Sequence, residues 1–323
     1  MRSAAAIAIA ALLPATAAIA EPLDIDIAQL GSPSANAWAY VDGRAWGSPT
    51  ANDVLLANES KARFAMLASE LGLAMTSALL TPGSTTGHSG FDMAVEGAYA
   101  ATHTQPVGTA SGNVGGTTWG PRDFWPTRGV KPTEVFVPSI RIRKALPFSL
   151  EFGARFKYLS QSSLFAGQFE TKWAFLEGDR ILPDFALRMG LTRLGGVRAL
   201  NVGASDFDFI VSKRFGVLGV VSLTPYGALR FTYMRASSDT LVFFPEAGGT
   251  PPSVADTEAR TAAFPGFSAN FFRTTAGVRM TTYALSLTAE ITHYGGGSFE
   301  PEGYARYRVK PSLAGSFRLG FEY

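Results

Sequence analysis

Asp206 and Asp208 stand two residues apart in the run Ser205-Asp206-Phe207-Asp208-Phe209. Residues two apart in a strand point to the same face, so the pair brings two carboxylates together, and such closeness can raise one carboxyl pKa into the range useful for general acid or base work. The partners that would complete such a centre are sparse. Histidine occurs only at 88, 103 and 293. Glu290 lies three residues before His293, and the alternation there puts His293 on the apolar face of its strand. There is no cysteine, which removes thiol nucleophiles, thiolate zinc sites and disulfide frameworks together. No group of His, Asp and Glu has metal-ligand spacing, so neither a metal nor a cofactor is expected. Gly112, Gly115 and Gly116 lie in the run Gly108 to Gly116 with no helix after it, and they do not make a phosphate cradle.

The two aspartates belong to a larger set. Alternate positions along successive segments gather Arg141, Arg143, Glu151, Arg155, Lys157, Glu170, Lys172, Arg188, Asp206, Asp208, Arg230, Arg279, Glu290, Arg318 and Glu322 on one side of the chain, nine basic and six acidic. Enclosed together, opposite charges pair, and the basic excess would give any water path between them a mild preference for anions. In that setting Asp206 and Asp208 are partners of arginines rather than catalysts.

Composition narrows what could enclose them. The 323 residues are 46% hydrophobic, 12% aromatic and 17% charged, too apolar for a disordered chain. With 28 basic residues against 26 acidic, the chain lacks the basic excess that nucleic acid demands, so no nucleic-acid partner is expected. Yet after the first twenty residues no apolar run is long enough for a membrane helix: the best, Phe64 to Leu80, is short and contains Glu70. Only helices and closed barrels satisfy their backbone in lipid, so any membrane span here must be a barrel.

Met1 to Ala20 reads as a secretory signal peptide, with Arg2, an apolar stretch from Ala4 to Leu13, Pro14, and Ala18-Ile19-Ala20 before Glu21. Residues 21 to 58 show no sustained periodicity and predict an extended or loosely ordered lead. Phe64, Leu67, Leu71, Met75 and Ala78 then recur every three or four residues, predicting a helix from about Ser60 to Leu80 that Thr81-Pro82-Gly83 stops. Met66, Leu73 and Leu79 make its other face apolar too, so it must dock inside a lumen or against one end of a barrel.

After Gly90 the period becomes two. The clearest strand places Phe148, Leu150, Phe152, Ala154, Phe156 and Tyr158 on one face and Ser149, Glu151, Gly153, Arg155 and Lys157 on the other, after a tight turn at Ala145-Leu146-Pro147. About ten such strands are expected, among them 206 to 212, 272 to 282, 285 to 293 and 312 to 323. Links of one parity include two long ones, Thr102 to Pro132 and Ala236 to Asn270, and links of the other parity are all short. Outer-membrane barrels pair long outer loops with short periplasmic turns in this way. Trp119, Phe124, Trp125, Phe243 and Phe244 in the long loops suit the membrane interface or a fold back over the pore.

The chain ends Gly315-Ser316-Phe317-Arg318-Leu319-Gly320-Phe321-Glu322-Tyr323, with apolar or aromatic residues at 317, 319, 321 and 323. This resembles the C-terminal signal by which the barrel-assembly machinery recognises bacterial outer-membrane β-barrel proteins, although Arg318 stands where the usual pattern has glycine. The resemblance implies an all-β, transmembrane antiparallel up-and-down barrel of about ten strands with an N-terminal α-helical extension. Residues 1–20 would be the signal peptide, 21–90 the extension, serving as a plug or a periplasmic cap, and 91–323 the barrel. The implied location is the bacterial outer membrane, the implied partners are its lipid and the assembly machinery, and the implied function is a narrow channel or a structural barrel with an ion-paired lumen.

Two further layouts are similar. The segment ahead of the barrel resembles in placement the plug of the long-chain fatty-acid transporter family, which implies passage of hydrophobic small molecules. The Asp206 and Asp208 pair on about ten strands resembles the omptin proteases, which implies a hydrolase, but no histidine here follows an aspartate at the omptin spacing.

Overall fold

In the computed structural model the period-two segments become ten long antiparallel strands. The structure describes residues 23–44, 47–76, 78–101, 104–106, 134–197, 199–217, 220–243, 260–295, 297–299, 307–309 and 311–323. The strands are β1 (Phe91–Ala101), β2 (Glu134–Leu146), β3 (Leu150–Tyr158), β4 (Phe165–Leu176) and β5 (Asp184–Gly195). They continue as β6 (Leu200–Ser212), β7 (Val221–Ser238), β8 (Phe267–Thr282), β9 (Leu285–Tyr294) and β10 (Ser312–Glu322). Each pairs with the next, and β10 returns to β1 in the register Asp92↔Glu322 to Ala100↔Ala314. Closure leaves no unpaired edge, which an open sheet in lipid could not tolerate.

Alternation then sorts the side chains. Outward positions carry Val95, Ile140, Leu191, Ile291 and Leu319, each more than half exposed. Such a continuous apolar exterior would associate in water and suits hydrocarbon. No described helix is long and apolar enough to cross a membrane. The chain is a closed ten-stranded β-barrel with a lipid-facing exterior. Aromatic rings knit that exterior across strands, as Tyr99 with Phe136 at 4.6 Å and Phe136 with Phe317 at 6.5 Å between ring centres.

The links fix which end is which. Leu146 to Leu150, Leu176 to Asp184, Ser212 to Val221 and Thr282 to Leu285 are short, whereas the long links leave Ala101 and Ser238 at the other end. The short turns mark the end that the link asymmetry of an outer-membrane barrel assigns to the periplasm. In the β2–β3 link the sequence reading needs correction. Phe148 and Ser149 both have positive φ (65° and 58°), so Phe148 is a turn residue, 88% exposed, and β3 starts at Leu150. A tight hairpin that demands two left-handed residues overrides the strand preference of phenylalanine. Tyr283 does the same between β8 and β9, with φ 51°.

Three strands are taller than their outward pattern predicts. β6 starts at Leu200 rather than 206, β7 runs to Ser238, and β8 starts at Phe267 rather than 272. Their outer ends are apolar on the inward face too (Leu200, Val202, Met234, Ala236, Phe267, Ala269, Phe271), so the contrast that marks a strand fades there.

The lead segment is also more ordered than expected. It forms a 3-10 turn at Ile27–Leu30, helix α1 (Ala35–Val41) and helix α2 (Ala51–Met75). Helix α2 begins nine residues earlier than the periodicity indicates because a capping box, not an apolar stripe, starts it: Thr50 and Asp53 satisfy each other's amides. It stops at Met75 rather than Leu80, where the Thr76 hydroxyl bonds back to the Gly72 carbonyl at 2.9 Å.

Candidate functional site: the occupied lumen

The barrel interior has two zones. In the outer half it is an apolar core built around α2. Phe64 stacks on Phe264 with ring centres 4.5 Å apart and meets Phe267 edge-on at 6.1 Å. Leu67 and Leu71 belong to the same buried cluster as Val135, Val202 and Phe271 from the strands and Leu159 and Leu164 from the β3–β4 link. Gly72 lies against Met234, whose sulfur would overlap a Cβ at that position. That close approach explains a glycine inside a helix, where it costs about 1 kcal/mol relative to alanine.

Helix α2 enters this core from the outer mouth. Ahead of it, the Leu23 amide donates to the Gln161 carbonyl (2.9 Å) and Asp24 accepts from the Ser163 amide (2.7 Å), both on the outer β3–β4 link. Arg260, above β8, donates to the Tyr40 hydroxyl at 2.8 Å and lies over its ring. At the helix start the Thr50 hydroxyl and amide donate to Asp53 at 2.7 and 2.6 Å, and Arg44 pairs with the same carboxylate. The bond from the Thr50 hydroxyl, the Thr50 amide and Arg44 hold the Asp53 carboxyl below its usual pKa against the opposing cost of burial.

The other end of α2 meets charge. The last carbonyls of a helix lack intrahelical donors and carry partial negative charge, so cations are favourable there. Lys157 donates to the Met75 carbonyl, Arg230 and Arg273 to the Thr76 carbonyl at 3.1 and 2.6 Å, and the Tyr294 hydroxyl to the Leu73 carbonyl at 3.3 Å.

From Thr76 the chain runs on as a strap toward the periplasmic end, held by the inner face of the barrel. Arg155 takes the Ala78 carbonyl (2.8 Å) and Arg141 the Leu79 carbonyl (3.1 Å). Glu290 accepts the Leu79 and Leu80 amides at 2.9 and 2.6 Å and the Tyr226 hydroxyl at 2.7 Å. Arg143 takes the Thr81 hydroxyl (2.6 Å), and Lys172 the Ser84 carbonyl (2.8 Å). Ser212 accepts from Gly83, Glu177 from Thr85 and Glu151 from Thr86, at 3.0, 2.6 and 2.7 Å. Buried polar backbone without such partners would be costly; here strap and wall satisfy each other.

The wall residues also pair among themselves. Arg141 bridges Glu96 (3.1 Å) and Glu170 (2.5 Å); Arg188 bridges Glu170 (2.9 Å) and Asp208; Arg230 completes Asp208 at 3.0 Å. Nearer the periplasm Asp92 pairs with Arg143 and Arg318, Glu151 with Lys172 (2.7 Å), and Arg279 with Glu322. Arg141, Arg143, Glu151, Arg155, Lys157, Glu170, Lys172, Arg188, Asp206, Asp208, Arg230, Arg279, Glu290 and Arg318 all lie buried on the inner wall; Glu322 is partly exposed. Sequence reasoning missed Asp92, Glu96, Asp184 and Arg273. All four keep the parity of the charged positions on their own strands. Applying the same alternation to every strand would have found them, since Asp92 and Glu96 stand opposite the apolar face of Phe91, Met93 and Val95, and Arg273 lies within the expected strand from 272 to 282.

Asp206 and Asp208 are engaged by cations. Asp206 pairs with Arg273 at 2.5 Å and accepts the Thr232 hydroxyl at 2.6 Å. Neither His88, exposed near the periplasmic end, nor His293, exposed on the lipid face, approaches them. No group of three or more metal-binding side chains exists among the described residues. The signal-peptide reading, His103, the Gly108 to Gly116 run and Trp119, Phe124, Trp125 and Phe244 lie outside the described residues; Phe243 does fold back over the lumen, edge-on to Phe264 at 6.0 Å.

No protein-family model matches the chain, and no curated protein matches it. Among solved structures it is similar to the translocator domain of the autotransporter NalP from Neisseria meningitidis, with 12% identity, 82% of this chain and 98% of that one covered, and a TM-score of 0.36. It is similar to Ail, the attachment invasion locus protein of Yersinia pestis, with 10% identity, 73% and 100% covered, and a TM-score of 0.24. Neisserial surface protein A gives 13%, 71% and 96%, and 0.26.

Proposed function

We propose that this protein is an integral outer-membrane barrel held shut by its own N-terminal segment, a structural barrel that presents that segment at the outer mouth rather than an open channel. One observation carries the reading: from Leu23 at the outer mouth to Thr86 near the periplasmic end, the chain occupies the lumen, packed in the outer half and hydrogen-bonded in the inner half. The lipid-facing belt and the asymmetry of the links support the membrane and its orientation.

Planar-bilayer recording tests it. The full-length protein should be silent, and a deletion of residues 21–82 that still migrates as a folded barrel should show unitary conductance. Equal conductance from both proteins overturns the closed reading. Passage of a hydrophobic small molecule is a second reading, favoured by the apolar lining that α2 now fills; an acyl ligand co-purifying with the deletion and absent from the intact protein would support it. With Asp206 and Asp208 both bound to arginines, neither supplies support for a hydrolase.

A further inference from the structure

Among the described residues, the outward faces of the ten strands carry four fully charged side chains. Glu134 is at the outer end of β2 and Lys144 at its inner end, while Arg193 on β5 and Arg235 on β7 stand together near the outer rim. The registers Gly167↔Arg193, Arg193↔Gly203 and Gly203↔Arg235 make one lateral row of alternating glycine and arginine across four strands. A Cβ on Gly167 would meet nothing within 4 Å, and one on Gly203 only the Thr192 carbonyl at 3.9 Å. The missing side chains open a groove of about 1110 Å³ on the barrel exterior. Toward the membrane centre its lining is largely apolar: Ala154, Phe169, Leu191 and Tyr233, with Ser205 between the last two.

Glycine in a strand interior weakens it, and often marks where another group comes close to the backbone. Arginine on a lipid face is tolerated near the interface and not at the midplane, which is where Arg193 and Arg235 stand, two and three residues from their strand ends. One strand lies between them, so their Cα atoms are about 10 Å apart. Arg193 is steadied by the Asn201 side-chain oxygen (3.4 Å), and Asn201 in turn donates to Asp239 at 2.9 Å. Arg235 makes no hydrogen bond or ion pair among the described residues and is exposed. Two guanidinium groups above an apolar groove match a phosphate-bearing headgroup above an acyl chain, since guanidinium binds phosphate in a two-pronged manner.

We propose that the row Gly167, Arg193, Gly203 and Arg235 with the groove beneath it binds a phosphorylated, multiply acylated glycolipid of the outer leaflet, phosphate on the arginines and one acyl chain along Leu191 and Tyr233. The site rests on the membrane orientation argued above.

The test is native mass spectrometry of the full-length, detergent-folded protein with purified lipid A, its dephosphorylated form and phosphatidylglycerol. Lipid A should remain bound to the wild type, about tenfold more weakly to Arg193→Gln/Arg235→Gln and to Gly203→Leu, which fills the groove with the charges intact. Lys144→Gln, at the other rim, should bind as the wild type does. Unchanged binding by the double variant, or retention of the dephosphorylated form as strong as that of lipid A, overturns the site; phosphatidylglycerol bound as well as lipid A overturns the glycolipid assignment. Heat-modified migration and outer-membrane fractionation of each variant keep the outcomes apart: a variant folded in the outer membrane that binds lipid A normally sinks the site alone, and a wild-type protein absent from the outer membrane sinks the reading beneath it.

Discussion

Asp208 shows what single residues do in this lumen. It is fully buried between Arg188 and Arg230, and neither arginine can shed its charge. Asp208→Asn removes one charge of three, and breaking a buried pair from one side costs about 3–5 kcal/mol because the partner stays buried and uncompensated. The urea midpoint of the detergent-folded barrel should fall accordingly, and no change in that midpoint would contradict the pairing. Glu290 acts differently, since it accepts from two strap amides and a tyrosine hydroxyl. Glu290→Ala should leave the barrel folded, by heat-modified migration, but loosen the strap, read as faster proteolysis between residues 76 and 86. Most of these residues were legible from strand parity alone, because one inward position in two is a rule that any strand obeys. Their partners were not. Nothing in the spacing of Glu290 says that it answers the amides of Leu79 and Leu80, some 210 residues earlier, since that contact exists only once the chain is threaded.

Helix α2 was half legible. Its buried part, Phe64 to Met75, announces itself by apolar periodicity, while its first two turns project outward and are held by Thr50, Asp53 and Arg44. Their signal is a capping box, which counts residue types at four positions rather than a stripe. Thr50→Ala should cost about 1 kcal/mol of stability, measured by urea unfolding. The acid side follows from Asp53. Its pKa is depressed in the folded state, so the folded form holds the carboxylate more tightly than the unfolded chain does. The cap's contribution is present above the ordinary aspartate value of about 4 and is lost as pH falls through the lower folded value. The difference between wild type and Asp53→Asn should therefore hold from neutral pH to about pH 5 and close below pH 4. At the strand ends the same limit on legibility recurs: Leu200, Val202, Phe267 and Phe271 turn inward onto α2, and a two-sided apolar strand reads as no strand until its contact is known.

At the scale of the whole molecule, the inner wall carries ten buried basic and eight buried acidic strand residues among those described. Part of that surplus faces the end of α2 rather than a water path: Lys157 donates to the Met75 carbonyl, and Arg230 and Arg273 reach the Thr76 carbonyl beside their pairs with Asp208 and Asp206. The inner wall is thus matched to the N-terminal segment that it encloses, and the direction of threading has a consequence for the cell. The strap lies toward the periplasm, α2 rises to the outer mouth, and α1 rests beside the outer links. Asp42, at the end of α1, is exposed and its pair with Arg44 at 3.0 Å is a surface one, worth under about 1 kcal/mol. Since the chain has no cysteine, Asp42→Cys creates a single thiol. In intact cells a membrane-impermeant maleimide should label it as fully as it labels a cysteine placed at Gln161 on the outer β3–β4 link, and should leave a cysteine at Arg180 on the periplasmic side unlabelled until the outer membrane is breached. Labelling of Asp42→Cys only after breaching would put the segment at the periplasmic end and overturn the threading on which the closed barrel depends.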